Sequence, residues 1–226
     1  MNNAPTRGFE EDVGSRTDVR VVSHTSVPLL VKNERYYFKQ SANTTYVIWG
    51  PEKNMKQDGK GVTFNALLKL ATKYLKAKIY MVTRDKIQYC DNVFQNETGL
   101  NRMKTGAFLS TGFFSMILAM DMCDSISVYG MIDDNYCNRA HHRVVPYHLC
   151  DSISVYGMID DNYCNRAHHR VVPYHYYEQK KISECKMYTF HQNKKLAGHR
   201  YITEKAIYAK WATRHKIQFK HPAWRL

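Results

Sequence analysis

Three groups of residues combine types and spacings that suit chemistry. Ser110-Thr111-Gly112 stands immediately before an apolar run over residues 113–122. A hydroxyl-bearing turn that opens a helix presents backbone N–H groups to a phosphate or carboxylate, and it serves equally as a plain helix N-cap. His199 and Glu204 lie within GHRYITEK. An imidazole with an ordinary pKa near 6.5 can take a proton at neutral pH, although such a pair is also a common structural device. Residues 174–178, YHYYE, form an aromatic stretch with one titratable ring, His175, that reads as a site or as a packed edge strand. Two further patterns are weaker. Cys137 is followed by His141 and His142, and Cys164 by His168 and His169, which hints at zinc; there is no C-x-x-C pair, and the second set copies the first. Asn43 and Asn96 each begin an N-x-T sequon, which matters only in a secreted or luminal chain.

The elements that must position these residues alternate between strand and helix. Residues 19–27 (VRVVSHTSV), 44–50 (TTYVIWG), 78–83 (KIYMVT), 125–131 (SISVYGM) and 216–221 (KIQFKH) are β-branched and aromatic runs that predict strands. Residues 62–75 predict an amphipathic helix with Leu67, Leu68, Leu70 and Ala71 on one side and lysines on the other. Residues 84–94 and 203–215 read in the same way, with Ile207 and Trp211 four apart. Such alternation predicts an α/β fold with one mostly parallel sheet covered on both faces. No linker or low-complexity segment interrupts it, so a single domain is expected.

Self-comparison reveals a duplication. CDSISVYGMIDDNYCNRAHHRVVPYH occupies residues 123–148 and returns unchanged at 150–175, a period of 27 residues. Solenoid repeats drift and need about three units, so two identical copies read as an in-frame duplication or an assembly error in the gene. Without one copy the chain has 199 residues, four cysteines and a charge of +14. The second copy holds another candidate strand at 152–158, expected to compete with the first for one place in the sheet, so that one copy is displaced. Copy one, continuous with the helix after Ser110, is favoured for that place. His148 is then a decoy for His175, because Leu149 rather than Tyr-Tyr-Glu follows it.

Composition narrows the classes. The chain has 226 residues, 33 Lys+Arg against 20 Asp+Glu, a net charge of +13, and 44% hydrophobic residues, enough for a core. A bilayer span needs about 20 apolar residues, and the longest apolar stretch, 107–122, is shorter and interrupted by polar residues. The basic charge invites a nucleic-acid partner, but the cations are dispersed and no nucleic-acid motif occurs, so a solvated basic surface is expected and no nucleic acid.

Together these segments resemble the animal sialyltransferases. STGFFSMILAMDMCDSISVYGM at 110–131 is similar to the family's small motif, HYYE at 175–178 to its third motif, HRYITE at 199–204 to its very small motif, and MNNAPT at 1–6 to the tail of its large motif. VRVVSHTSVPLL, TTYVIWGP, VPYHYYEQ, ITEK with WATRH, and HPAW resemble in particular the N-acetylgalactosaminide alpha-2,6-sialyltransferases acting on sialylated gangliosides and related glycans.

The resemblance implies a Rossmann-like variant of the GT-A fold, with residues 1–226 as the later part of a catalytic domain. It implies inverting, metal-independent transfer of sialic acid from CMP-sialic acid, without a cofactor, to a sialylated Gal-GalNAc glycan on a ganglioside or glycoprotein. The setting implied is the Golgi lumen, behind a membrane anchor missing here. His199 would be the general base, and His175 would stabilise departing CMP. Asn2, Ser110, Thr111, Gly112, Tyr176 and Glu204 would bind the donor, Glu204 chiefly by organising backbone. The family's bridge resembles Cys164 to Cys185, with Cys137 competing for Cys185. Family members also carry an earlier half of the large motif, whose cysteine bonds the small-motif cysteine; that half would lie before Met1, leaving Cys123, or its copy Cys150, without its disulfide partner. Other classes remain open at this point: an inactive basic nucleotide- or nucleic-acid-binding module, or a non-functional fragment of a gene.

Overall fold

The computed structural model describes residues 1–129, 152–155, 174–178 and 182–220. Contacts cluster in two compact units: Met1–Gly8 with Ser15–Cys90, and Phe9–Gly14 with Asp91–Leu226. Each is built on its own three-stranded parallel sheet.

The first unit contains β1 (Val19–Ser23), β2 (Thr45–Trp49) and β3 (Lys78–Met81) in sequence order. β1 and β2 pair in parallel from Val19↔Thr45 to Ser23↔Trp49, and β3 joins β2 from Thr45↔Lys78 onward. β1 is buried along four of its five positions, as a parallel strand covered on both faces should be. β3, at the edge, alternates exposed and half-buried residues. The predicted strand at 19–27 stops early. Ser23 accepts a hydrogen bond from the Thr25 N–H, a single 3-10 turn follows over His24–Ser26, and Pro28 starts a helix at Val27–Lys32. Proline's fixed φ suits a first helical turn and removes a donor that a strand ladder would need. The helix at Val62–Lys73 buries Leu67 and Leu70 against Val22, Leu30, Tyr46 and Ile48. Leu68, expected beside them, is 55% exposed, because one residue of helix turns the side chain about 100° away from its neighbour.

The second unit contains β4 (Ser125–Tyr129), β5 (Ser152–Val155) and β6 (Ile217–Lys220), in the order β5-β4-β6. The expected displacement of one repeat copy does not occur. β5 is the second copy of β4's sequence and pairs beside it, in parallel, Ser125↔Ser152 to Val128↔Val155. Ladder hydrogen bonds join backbone groups and are indifferent to sequence. A parallel neighbour needs only a crossover of about a dozen residues or more, which residues 130–151 exceed. β6 takes the other side of β4, from Ile126↔Ile217. Copy one thus holds the central place and copy two an added edge.

The helix Thr111–Met122 buries Phe113, Phe114, Met116, Ile117 and Ala119, which surround its axis; an apolar helix of that kind belongs inside. Phe113 packs its ring against Phe94, Tyr208 and Trp211. Trp211 lies on the helix Tyr201–Ala212 and donates its indole N–H to Glu97, 3.1 Å away. Helix Glu184–Asn193 packs against that same helix through Tyr188 and Tyr201. The α/β class and parallel pairing hold. The single expected sheet is instead two separate sheets among the described residues.

Candidate functional site

In the first unit, the Asn2 segment is stitched to the end of β1. The Asn2 N–H donates to the Val21 carbonyl at 2.8 Å, and the Ser23 N–H donates to Asn2 Oδ1 at 2.8 Å. Asn2 has φ 47°, a left-handed conformation that asparagine tolerates better than most residues. Arg20, buried in β1, donates from Nη1 to the carbonyls of Asn2 and Ala4, and the Tyr37 hydroxyl donates to the Asn3 carbonyl. Asn2 therefore sits at the carboxyl end of a parallel strand, where α/β sheets bind ligands. At the same end, a Cβ on Gly50 would lie 2.6 Å from the Cβ of His24, so this approach requires glycine. Burial, and then the Lys53 charge, lowers the pKa of His24.

In the second unit, Ser110 and Glu204, distant in sequence, form one clamp. Ser110 is the N-cap of helix Thr111–Met122: its hydroxyl accepts from the Phe113 N–H at 3.1 Å and donates to Glu204 Oε2. The Ser110 N–H donates to Glu204 Oε1 at 2.8 Å. Tyr208 adds a longer bond to the same carboxyl. Glu204 is 1% exposed, and burial pushes its pKa up to about 7 against the lowering effect of the Ser110 bonds. Both partners are thus engaged with each other. Thr111 is buried and Gly112 half-buried in the first turn beyond them.

His199 is fixed by the short parallel bridge Phe108↔His199. Its Nδ1 lies 2.9 Å from the Phe108 carbonyl oxygen. A carbonyl only accepts, so Nδ1 carries the proton and the lone pair resides on Nε2, the arrangement a general base needs. Burial is the main cause of its lowered pKa, opposed by the backbone bonds at Phe108 and Leu109.

His175 is held by its neighbours in sequence. Its Nδ1 is 2.8 Å from Glu178 Oε2, and its ring stacks on Tyr177 with centroids 5.1 Å apart. Tyr176 packs edge-on against Phe9. Tyr174 and Tyr201 share a hydroxyl–hydroxyl bond of 2.8 Å, which ties the YHYYE segment to the helix beginning two residues after His199. So Ser110 meets Glu204, the His175 segment joins the His199 helix, and Asn2 belongs to the other unit.

Sequence reasoning missed three residues of this second cluster. His191 stacks its ring on His199. Glu184, 4% exposed, accepts from the Tyr188 hydroxyl at 2.7 Å, and burial pushes its pKa up to about 7, partly offset by the Lys205 charge. Lys205 is itself buried, with its ammonium 4.0 Å from the centre of the Tyr188 ring. In the sequence these are ordinary polar residues on helical segments; only Glu184 and Lys205 coming together from two helices sets them apart.

Cys123 carries a thiol, as does Cys90. Cys185 is half of a disulfide; the expected partner Cys164 and its competitor Cys137 lie outside the described residues, as do Cys150, His148 and the histidines of the zinc reading. Among the described residues no group of three or more His, Cys, Asp or Glu is placed to hold a metal ion. Asn43 is exposed in a turn and Asn96 exposed on the helix Arg84–Thr98. No helix among the described residues is long and apolar enough to cross a membrane.

No solved structure matches the chain. Among curated proteins it is similar to rat alpha-N-acetylgalactosaminide alpha-2,6-sialyltransferase 3, 50% identical over 224 residues, covering 99% of this chain and 64% of that one. The human counterpart is 49% identical over 226 residues, covering 100% of this chain and 65% of the relative. A mouse alpha-N-acetyl-neuraminyl-2,3-beta-galactosyl-1,3-N-acetyl-galactosaminide alpha-2,6-sialyltransferase is 44% identical over 225 residues, 55% of its own length. The chain therefore spans less than two thirds of the length of these relatives. The model of Glycosyltransferase family 29 (sialyltransferase) matches residues 1–144. With that match over more than half its length, the chain belongs to glycosyltransferase family 29, the sialyltransferases.

Proposed function

We propose that this chain is the later part of a catalytic domain that moves sialic acid from CMP-sialic acid, in alpha-2,6 linkage, onto the N-acetylgalactosamine of a sialylated glycan. The names of its relatives support the linkage and the acceptor. The observation that carries the mechanism is the His199 Nδ1–H bond to the Phe108 carbonyl, which reserves Nε2 for an incoming proton. In this reading the acceptor hydroxyl gives its proton to His199 Nε2 as its oxygen attacks the anomeric carbon. The bond from that carbon to the phosphate oxygen of CMP breaks with inversion, and CMP leaves with the electron pair. The transition state is oxocarbenium-like, as in other glycosyl chemistry. The leaving anion is met by His175, in this reading supported by Glu178 and Tyr177.

Within the second unit the donor is read as lying against Tyr176 and the helix start at Thr111 and Gly112, with Ser110 and Glu204 holding that start in place. This assigns Glu204 a backbone-organising role rather than contact with the donor. No metal or cofactor is needed, since base and anion stabiliser are both side chains. The two parallel sheets are read as parts of the sialyltransferase variant of the GT-A fold, in the Golgi lumen, where the exposed Asn43 and Asn96 sequons would be open to glycosylation. His199→Ala is expected to lower transfer from CMP-sialic acid by about 10²- to 10⁴-fold while donor binding persists. Transfer at an unchanged rate, measured with radiolabelled donor, would overturn the assignment.

A further inference from the structure

His199 does not stand alone in the second unit. His191, near the end of helix Glu184–Asn193, accepts a hydrogen bond at Nδ1 from the His199 backbone N–H, 3.3 Å away. An Nδ1 that accepts carries no proton, so the neutral His191 ring has its proton on Nε2. The two imidazoles lie nearly parallel, with centroids 5.3 Å apart and planes 23° from one another, and Tyr201 packs against both. The contact is anchored from several sides. Arg200 donates from Nη1 to the His191 carbonyl at 3.0 Å. A Cβ on Gly198 would sit 2.5 Å from that same carbonyl oxygen, so only glycine lets the loop before His199 come this close. The adjacent Gln192 accepts from the N–H groups of Ile202 and Thr203 and donates to the Thr203 hydroxyl. Consecutive residues of one helix thus fix the His199 loop and the start of the helix that follows.

We propose that His191 is a positioning residue for His199: its ring face and its Nδ1 hold the His199 imidazole and backbone so that Nδ1–H stays on the Phe108 carbonyl and Nε2 stays open. The inference rests on the reading of His199 as general base. The titratable and charged groups around His191 are Lys194 on its own segment, His199 and Arg200 from the loop, and Tyr201 from the next helix. Burial first, then the His199 and Lys194 charges, lowers the pKa of His191. A neutral His191, as its lowered pKa favours, offers an uncharged ring face to the imidazolium that forms on His199. A proton on His191 Nδ1 would break the bond from the His199 N–H and set two cations face to face.

The test uses the intact chain with ¹⁵N-labelled histidine rings, read by NMR across pH, alongside transfer kinetics. In the wild type, His199 is expected as the Nδ1–H tautomer and His191 as the Nε2–H tautomer. His191→Phe keeps an aromatic face but removes the acceptor. It is expected to turn His199 into a tautomer mixture, shift its titration midpoint, and lower kcat about tenfold with the donor KM changed less than about twofold. His191→Asn, whose Oδ1 replaces Nδ1 as acceptor, is expected to restore the wild-type tautomer and most of the rate, and it guards against mere misfolding of the Phe variant. A wild-type His199 tautomer and titration in folded His191→Phe would overturn the inference, whatever the kinetics. Wild-type transfer by His199→Ala would instead overturn the reading of His199 as base, so the two failures are distinct.

Discussion

Asn2 and Ser110 are each fixed by a pair of hydrogen bonds at the end of an element, one in each unit, but their partners differ in charge. Asn2 exchanges neutral amide bonds with Val21 and Ser23 of the strand beside it. Ser110 gives both its N–H and its hydroxyl to a buried carboxyl that arrives from a helix more than ninety residues later in the chain. A neutral clamp made with a neighbouring strand follows once β1 forms. A carboxyl clamp must first bring an ionisable group out of water, and its strength then depends on whether that group is charged. The same contrast extends beyond the clamps. Burial in the first unit raises tyrosines such as Tyr37 and Tyr46, which stay neutral throughout the physiological range. In the second unit it raises Glu184 and Glu204 to about 7 and lowers His191 and His199. Burial lowers His24 in the first unit as well, but the unit with the candidate base is the one that carries carboxyls raised to about 7, a common mark of functional sites.

The comparison is tested most severely by Glu204→Ala. It leaves the buried Ser110 N–H and hydroxyl without their acceptor, and a loss of about 3 kcal/mol is expected. Hydrogen exchange should show that loss in amides of helix Thr111–Met122 and leave β1 and β2 protected as before; an equal loss in both units would break the contrast. Acidity provides the second test. A carboxyl whose folded pKa is raised contributes stability that is complete below its unfolded value near 4.5 and is lost as pH rises through about 7. Glu204→Gln removes that titration. The stability of wild type relative to Glu204→Gln, followed by urea unfolding, is therefore expected to fall from pH 4.5 to 7; a flat difference would mean that Glu204 is not raised.

Smaller effects are expected elsewhere. Asn2→Ala removes the acceptor for the Ser23 N–H and places alanine at positive φ, at a cost of about 2 kcal/mol confined to the first unit. Its urea midpoint should not acquire a new pH dependence between 4.5 and 7. The smallest effect is expected from deleting residues 149–175, which joins His148 to Tyr176 and removes β5. It gives up a four-residue ladder on β4 but shortens the connection to the YHYYE segment, and doubling or halving a loop is worth only about 0.6 kcal/mol. The melting temperature should change by a few degrees at most. Collapse of the second unit would show that the copied strand has become essential to the sheet.

Much of this was legible in the residues. β2, β4 and β6 fall within predicted strands because β-branched and aromatic runs bounded by turn residues have few other uses. The helices Val62–Lys73 and Tyr201–Ala212 follow from their apolar spacing. The end of β1 was missed because its apolar run continues through Val27, while Ser23 and Pro28 decide the backbone locally. Leu68 was assigned to the core face because apolar type alone does not state direction. Among the candidate site residues, Ser110 was recognisable as a cap, and His199 stood out as a candidate base by motif. His191 carried no signal, since an exposed and a stacked histidine are written alike.

By itself, then, the sequence determined the parallel α/β pattern, the duplication, the family motifs and the identity of the candidate base. These depend on local propensity and on the order of residues along the chain. Tertiary structure alone decided that the copied strand lies beside its original, because pairing depends on an open edge and not on novelty of sequence. It also decided that Glu204 faces Ser110, that His199 Nδ1 reaches the Phe108 carbonyl, and that His191 lies across its ring. Each of those requires groups distant in sequence to meet within hydrogen-bond or ring-contact distance, and only the folded backbone sets such distances.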